Sequence, residues 1–92
     1  PPGPSIPRIC FVAPMETRQV RMMLEEVAHP HEIQAIVGGY PAMDLEFLCV
    51  DPRPQRFEVK FGLPEEVAPG LHELQLRIGR RKLTPVMLDV TA

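Results

Sequence analysis

The sequence predicts an all-β domain, a two-sheet antiparallel β-sandwich of about seven strands. Short apolar runs recur at intervals of roughly ten residues, with turn signals between them. Proline and glycine supply 12 and 6 of the 92 residues, which favours many turns over long helices. Several of the runs alternate apolar with polar residues, as half-buried strands do.

The chain starts with a proline-rich segment. Residues Pro1–Pro7 contain four prolines, a glycine and a serine, a composition typical of an extended, semi-rigid linker. We therefore predict a linker over 1–7 and one sandwich domain over 8–92. The first apolar run, Ile9–Val12, is predicted as a strand that ends before Pro14.

Residues Gln19–Val27 are compatible with two structures. Val20, Met22 and Leu24 alternate with other residues as in a strand, while the same run also offers the i, i+3, i+4, i+7 spacing of a helical face. Met, Leu, Glu and Arg are all good helix formers. We predict a strand, because every other element of the chain is β.

The middle of the chain predicts three further strands. Ile33–Val37 precedes Gly38-Gly39, a hairpin signal because both glycines can adopt positive φ. Leu45–Val50 is turned back by the proline-containing segment 51–55 into Arg56–Phe61. The latter run shows the cleanest alternation in the chain, with one apolar and one charged face.

The closing strands lie in the last third of the chain, after a loop at Leu63–Gly70. The first of them sends Leu74, Leu76 and Ile78 inward and Glu73, Gln75 and Arg77 outward, as the period of two requires.

The segment Gly79–Lys82 is predicted as the turn into a last strand, Leu83–Val90. Pro85 has no N–H to donate, so this strand is expected at a sheet edge or interrupted at the proline.

Composition and charge exclude several functions. A net charge of −2 argues against nucleic-acid binding, which usually requires a basic excess on one face. No stretch approaches the roughly 18 consecutive apolar residues of a membrane span. The start of the chain has neither an initiator Met nor the pattern of a signal peptide, so we interpret the chain as one piece of a longer protein.

Two cysteines, Cys10 and Cys49, lie in apolar runs. Free cysteines in such runs usually behave as small buried hydrophobes, and we predict burial for both. A disulfide between them remains an alternative, whereas their spacing fits no metal or redox motif.

The order of turns and strands over Ile33–Val90 is distinctive. It resembles the immunoglobulin-like modules of the IPT/TIG type that are appended to larger bacterial proteins. The resemblance implies an Ig-like sandwich acting as a spacer, as a protein-interaction module or in carbohydrate contact. The Cys…Trp…Cys core of antibody-type domains is absent, since the chain has no Trp. The matching residues are Val37, Gly38, Gly39, Pro41, Ala42, Pro64, Pro69, Gly70, Leu74, Leu76, Gly79 and Val90.

The residues that could perform chemistry form no motif. His29, His31 and His72 lack the partners of a known metal-ligand set. The adjacent carboxylates Glu25-Glu26 would point to opposite faces of a strand, and Glu65-Glu66 lie in a loop, where they are expected to be solvated. We expect no catalytic site, no metal and no cofactor.

Four residues are candidates for contact with a partner. Arg80, Arg81 and Lys82 form the one compact basic cluster, which is either a soluble hairpin tip or a docking site for an acidic group. Tyr40, beside the Gly-Gly turn, is the best candidate for an exposed ring, and rings of this kind stack on sugars.

The sequence thus predicts a non-catalytic accessory module of a larger bacterial protein, acting as a spacer or protein-interaction domain. The alternative is a module that binds a carbohydrate or a cell-wall polymer through Tyr40. Neighbouring domains of the same chain or another protein are the expected partners, and edge strands offer a route to homo-oligomers.

Overall fold

A computed structural model describes residues 6–91, and these form nine strands and one turn of 3₁₀ helix at Pro30–Glu32. The all-β prediction is confirmed, and the seven predicted strands are all present. The count rises to nine because two strands of two residues each, Tyr40–Pro41 and Arg81–Lys82, were not predicted. The strands are β1 Arg8–Val12, β2 Gln19–Glu25, β3 Ile33–Val37, β4 Tyr40–Pro41, β5 Met43–Asp51, β6 Arg56–Gly62, β7 Gly70–Ile78, β8 Arg81–Lys82 and β9 Val86–Val90.

The strands form two antiparallel sheets. The first sheet has the order β1-β2-β6-β5, and the second has the order β4-β3-β7 with β8 and β9 both paired to β7. Leu74 pairs with Val37 of β3 and with Val86 of β9. Because one residue cannot have two partners on the same side, β3 and β9 lie along opposite edges of β7.

The core lies between the sheets and follows from the period-two alternation. β2 contributes Val20, Met22 and Leu24 to it, and each is almost fully buried. Val59 and Phe61 of β6 pack beside them, and β7 supplies the facing side chains of the second sheet. The apolar residues of alternating strands therefore meet in one cluster.

The segment Gln19–Val27 is a strand, so that prediction is confirmed and the helical alternative is wrong. The strand ends at Glu25, earlier than predicted, because Glu26 takes a left-handed conformation with φ of 63°. The amides of Glu26 and Val27 then donate to the carbonyls of Pro54 and Gln55 at 2.8 and 3.2 Å. This bend returns Val27 to the core, where it is buried.

The Gly38-Gly39 turn joins β3 to β4 as predicted. Gly38 and Gly39 have φ of 59° and 89°, values that residues with a Cβ rarely adopt. A Cβ on Gly38 would also lie 2.7 Å from Nδ1 of His72. The turn therefore depends on glycine for two separate reasons.

Pro85 interrupts the last strand, as the sequence predicted. β8 and β9 run along the same edge of β7 and are separated by residues 83–85. Strand pairing with β7 is therefore present both before and after the proline. Between the two strands, the amide of Leu83 donates to the carbonyl of Leu76 at 2.9 Å. The proline is thus placed where no central ladder bond is lost.

The sandwich has two ends, which we name by the described residues nearest the start and finish of the chain. The Arg8 end carries the start of β1, the 26–32 connection, the 52–55 turn and the β7–β8 turn. The Val90 end carries the β1–β2 turn, the β3–β4 turn, the 63–69 loop and the last residue of β9. The chain therefore enters at one end and leaves at the other.

The Val90 end is tied together by one side chain. The Arg18 guanidinium, at the tip of the β1–β2 hairpin, donates to the carbonyls of Pro64 and Val67 at 2.9 and 2.7 Å. The amide of Leu63 donates in return to the Arg18 carbonyl at 3.1 Å. The hairpin and the 63–69 loop are thereby fixed to each other.

Residues 6–91 include no helix long and apolar enough to cross a membrane. The predicted linker Pro1–Pro7 lies mostly outside the described residues, so the linker and the domain boundary at residue 8 stay predictions.

Candidate functional site

The basic cluster lies at the Arg8 end, with Arg80 in the β7–β8 turn and Arg81 and Lys82 forming β8. The turn predicted over Gly79–Lys82 is therefore shorter than expected, because its last two residues pair with β7. Arg80, Arg81 and Lys82 are exposed, and none of them forms an ion pair with another residue of the range 6–91. The turn is held by the amide of Gly79, which donates to the carbonyl of Glu32 at 3.2 Å. The cations are therefore presented to solvent on a fixed turn and on the short strand that follows it.

Tyr40 lies at the opposite end of the second sheet. It is the first residue of β4, pairs with Val37 and is 42% exposed. β3 runs from Ile33, paired with Ile78 beside the basic turn, to Val37, which pairs with Leu74. Four residues of strand, about 13 Å, thus separate the two candidate sites, and the structure does not bring Tyr40 together with the arginines.

The outward side of the second sheet, which we call the second-sheet face, carries a row of polar side chains along β7. Glu73, Gln75 and Arg77 point outward, as the sequence predicted, and Leu71 precedes them. On the edge beside β7, Met87 is paired with Glu73, Asp89 with Leu71, and Lys82 with Arg77. Directly paired residues share a face of the sheet, so these side chains form one surface.

Arg77 stands out on the second-sheet face. Its Nε is buried and has no hydrogen-bond partner among residues 6–91. Lys82, directly opposite on β8, is another cation and cannot accept from it. A buried guanidinium N–H without a partner is costly. Because this nitrogen is closed off from the surface, the side chain placed to supply an acceptor is Gln34, opposite Arg77 on β3.

The outward side of the first sheet, the first-sheet face, differs because its charges pair with one another. Glu25, only 8% exposed, accepts from Arg8 at 2.5 Å and from Nε of Arg56 at 2.8 Å, with a second bond from the Arg56 Nη2. The hydrogen bonds from Arg56, followed by the charges of Arg56 and Arg8, hold the pKa of Glu25 below its usual value. The same carboxylate raises the pKa of Arg56. On the same face Lys60 lies 3.9 Å from Glu46.

The prediction for the two cysteines is wrong, because both Cys10 and Cys49 are free and exposed. β1 and β5 are the two edge strands of the first sheet, so their side chains have a neighbouring strand on one side only. Cys10 also sits where the β1–β2 register shifts between Ile9 and Phe11. A disulfide between them is excluded, since they lie on opposite edges of a four-stranded sheet.

The histidines are spread over both ends of the domain. His31 packs edge-on against Phe47 with ring centroids 5.0 Å apart, and His72 lies 2.6 Å through Nε2 from the Ala68 carbonyl at the Val90 end. Among residues 6–91 no group of three or more His, Cys, Asp and Glu is placed to hold a metal ion.

A groove of about 380 Å³ runs along the edge of β3 that β4 covers only at Ile36 and Val37. Its wall is formed by Ile33, Ile36, Pro41 and Leu45, with Gln34 and two alanines completing the lining. These side chains offer apolar contact and one amide, and none of them is an acid, a base or a nucleophile.

Comparison with known protein families, curated proteins and solved structures found no match.

Sequence reasoning missed the Glu25 cluster and the unpaired Arg77 Nε. Arg8 and Arg56 are 17 and 31 residues from Glu25 in the chain, so no local motif joins them. The alternation of β6 did place Arg56 on the outward face, and an outward Glu25 follows from the same period in β2. The signal needed to join them was the strand register.

Proposed function

We propose that this chain is a non-catalytic, immunoglobulin-like accessory module of a larger bacterial protein, acting as a spacer or protein-interaction domain. The observation that carries this proposal is the path of the chain, which enters at the Arg8 end and leaves at the Val90 end. A domain of this kind holds its neighbours apart by its own length. Nine residues of β7 alone correspond to about 26–30 Å.

The strand order supports an Ig-like assignment. Constant-type immunoglobulin domains have strands A, B, E and D in one sheet and C, F and G in the other. The order β1-β2-β6-β5 against β3-β7-β9 corresponds to that arrangement. The IPT/TIG-like sequence of turns over Ile33–Val90 supports the same proposal.

The placement of the reactive side chains favours a role without catalysis. Glu25 is held by two arginines, the two cysteines lie on opposite edges of one sheet, and His31 and His72 lie at opposite ends. Catalysis requires such groups to converge within hydrogen-bond reach.

The spacer role is tested in the larger protein by two replacements of residues 8–91. One is a flexible Gly/Ser linker of equal residue number, and the other is an unrelated β-sandwich whose termini also lie at opposite ends. A spacer predicts that the linker impairs the function of the flanking domains and that the unrelated sandwich restores it. If neither replacement has an effect, the spacer role is wrong, and if both impair function equally, a specific interaction carries the role.

Carbohydrate binding is the second candidate, supported by the exposed ring of Tyr40. A glycan array probed with the isolated chain tests it. Binding that Tyr40→Ala abolishes would support this candidate, and an array that stays blank at millimolar glycan would contradict it. Leu71→Ala, a change at another exposed apolar residue, is the matched control.

A further inference from the structure

The charges on the second-sheet face follow an order that is complementary to itself. Leu71, Glu73, Gln75 and Arg77 succeed one another along the outward side of β7. If two copies stack face to face with their β7 strands antiparallel, a twofold axis can pass between the two Gln75 side chains, across the strands and midway between the sheets. Glu73 of each copy then faces Arg77 of the other, because each lies two residues from the axis.

The neighbouring edge strands obey the same symmetry. Lys82 is level with Arg77, and Met87 is level with Glu73. The twofold therefore brings Lys82 of one copy over Met87 and Glu73 of the other. Asp89, one step further out, faces the basic β7–β8 turn that carries Arg80. Acidic positions meet basic positions on both strands.

Two further observations on this face point to a partner. Arg77 forms no ion pair among residues 6–91, and the facing Glu73 carboxylate is an acceptor of the kind that a guanidinium prefers. Leu71 and Met87 are 68% and 61% exposed. They lie diagonally across the β7–β9 ladder, within contact distance of each other, and so form one apolar patch beside the charges.

We propose that the second-sheet face binds a second copy of this chain in an isologous, face-to-face dimer with Gln75 at the twofold axis. Closed twofold dimers are the commonest oligomers, and they require a surface complementary to itself. The inference rests on the proposed function, since it names the partner of the protein-interaction role. It differs from the edge-strand pairing expected from the sequence, because the contact uses side chains and leaves the strand edges free.

The size of the surface predicts a weak dimer. Three strands about 4.8 Å apart and about 26 Å long present roughly 400 Å² per copy, half of what standard stable interfaces use. Glu73, Lys82 and Asp89 are exposed and Arg77 is half-buried, so screening by salt weakens the attraction between the copies. The Debye length falls from about 30 Å at 0.01 M to about 8 Å at 0.15 M salt, and we expect the association constant to fall on the order of tenfold over that range.

Charge reversal tests the proposal by sedimentation equilibrium at 0.01 M salt. Wild type is expected to form dimers and nothing larger. Glu73→Arg and Arg77→Glu should each be monomeric, because each brings like charges together. The double variant Glu73→Arg/Arg77→Glu should dimerise again. An equimolar mixture of the two single variants should form heterodimers, although neither associates alone.

Controls separate the interface from general effects of charge and folding. Glu46→Arg reverses a charge on the first-sheet face and should leave dimerisation unchanged. Circular dichroism and thermal melting check that each variant is folded, and Arg77→Gln provides a milder change should Arg77→Glu fail to fold.

Crosslinking tests the position of the axis. In a Cys10→Ser/Cys49→Ser background, Gln75→Cys should be joined to its symmetry mate by a short bismaleimide, and Tyr40→Cys, outside the interface, should not. A monomeric wild type at millimolar concentration overturns the proposal. So does association that survives both single reversals, which would indicate edge-strand pairing. Either result leaves the spacer role intact, because the replacement experiment in the larger protein tests that role independently.

Discussion

The two faces of the sandwich satisfy their charges in different ways. On the first-sheet face Glu25 accepts from Arg8 and Arg56, and Lys60 lies beside Glu46. On the second-sheet face Glu73 and Arg77 are four residues apart on one strand and have no ion pair within residues 6–91. The charges of the first-sheet face pair within one molecule. In the proposed dimer, those of the second-sheet face pair with the charges of another copy. Charges on a sheet therefore have different consequences, depending on the strand that carries the counter-charge.

The largest expected effect is a loss of stability on truncating a buried leucine, and it should be the same in both sheets. Leu24 and Leu74 are both fully buried, one in each sheet. Leu24→Ala and Leu74→Ala should each lower the free energy of unfolding by about 2–5 kcal/mol, since both remove methyl groups and leave a cavity. Urea unfolding monitored by circular dichroism measures this. A loss in only one of the two would mean that the sheets do not share one core.

The same substitution on the two faces should have unequal results. Arg56→Met leaves the mostly buried Glu25 with only Arg8 as a partner, and the melting temperature should fall by several degrees. Arg77→Met removes an unpaired buried N–H and should leave the melting temperature of the monomer unchanged or raise it. Thermal melts at a dilution where both variants are monomeric provide the comparison. Equal losses would show that Arg77 has an intramolecular partner.

The first-sheet face should also be sensitive to acid. The pKa of Glu25 is lower in the folded protein than in the unfolded chain. The ionised carboxylate therefore contributes its full stabilisation at pH values above the unfolded pKa of about 4.3. It is lost as the pH falls through the lower folded pKa. Urea unfolding at pH 6 and pH 3 should show a larger loss for wild type than for Glu25→Gln. Parallel losses would mean that the arginines do not favour the ionised carboxylate.

The smallest effect is expected at the exposed pair on the first-sheet face. Lys60 and Glu46 are 3.9 Å apart, with side chains 46% and 72% exposed. Glu46→Gln should change the free energy of unfolding by no more than about 0.5 kcal/mol, because exposed pairs gain little in water. Urea unfolding at low salt measures the change. A loss above 1 kcal/mol would indicate a network beyond this pair.

Local sequence patterns predict the strands of this molecule well. The alternation in Arg56–Phe61 and in Leu74–Ile78 gives both the strand and the face of each residue, because the period of a strand is fixed by its covalent geometry. Pro85 at an edge and Gly38-Gly39 in a turn follow from the restrictions on their backbone. These features depend on neighbours in sequence.

Features that depend on strand order were not predicted. Cys10 and Cys49 lie in apolar runs, yet they are exposed because their strands form the edges of a sheet. The Glu25 cluster needs the registers of β1, β2 and β6 at once. Tyr40 and the basic turn could be identified singly, but their separation by the length of β3 was not evident from the sequence.

The path of the chain through the sandwich also determines how it would bear a mechanical load. A force pulling on the two termini would act along β1 at the Arg8 end and along β9 at the Val90 end, each parallel to its own strand. The hydrogen bonds of an antiparallel ladder lie perpendicular to the strands. Those joining β1 to β2 and β9 to β7 would therefore be loaded in shear, many at once, instead of being peeled apart one by one.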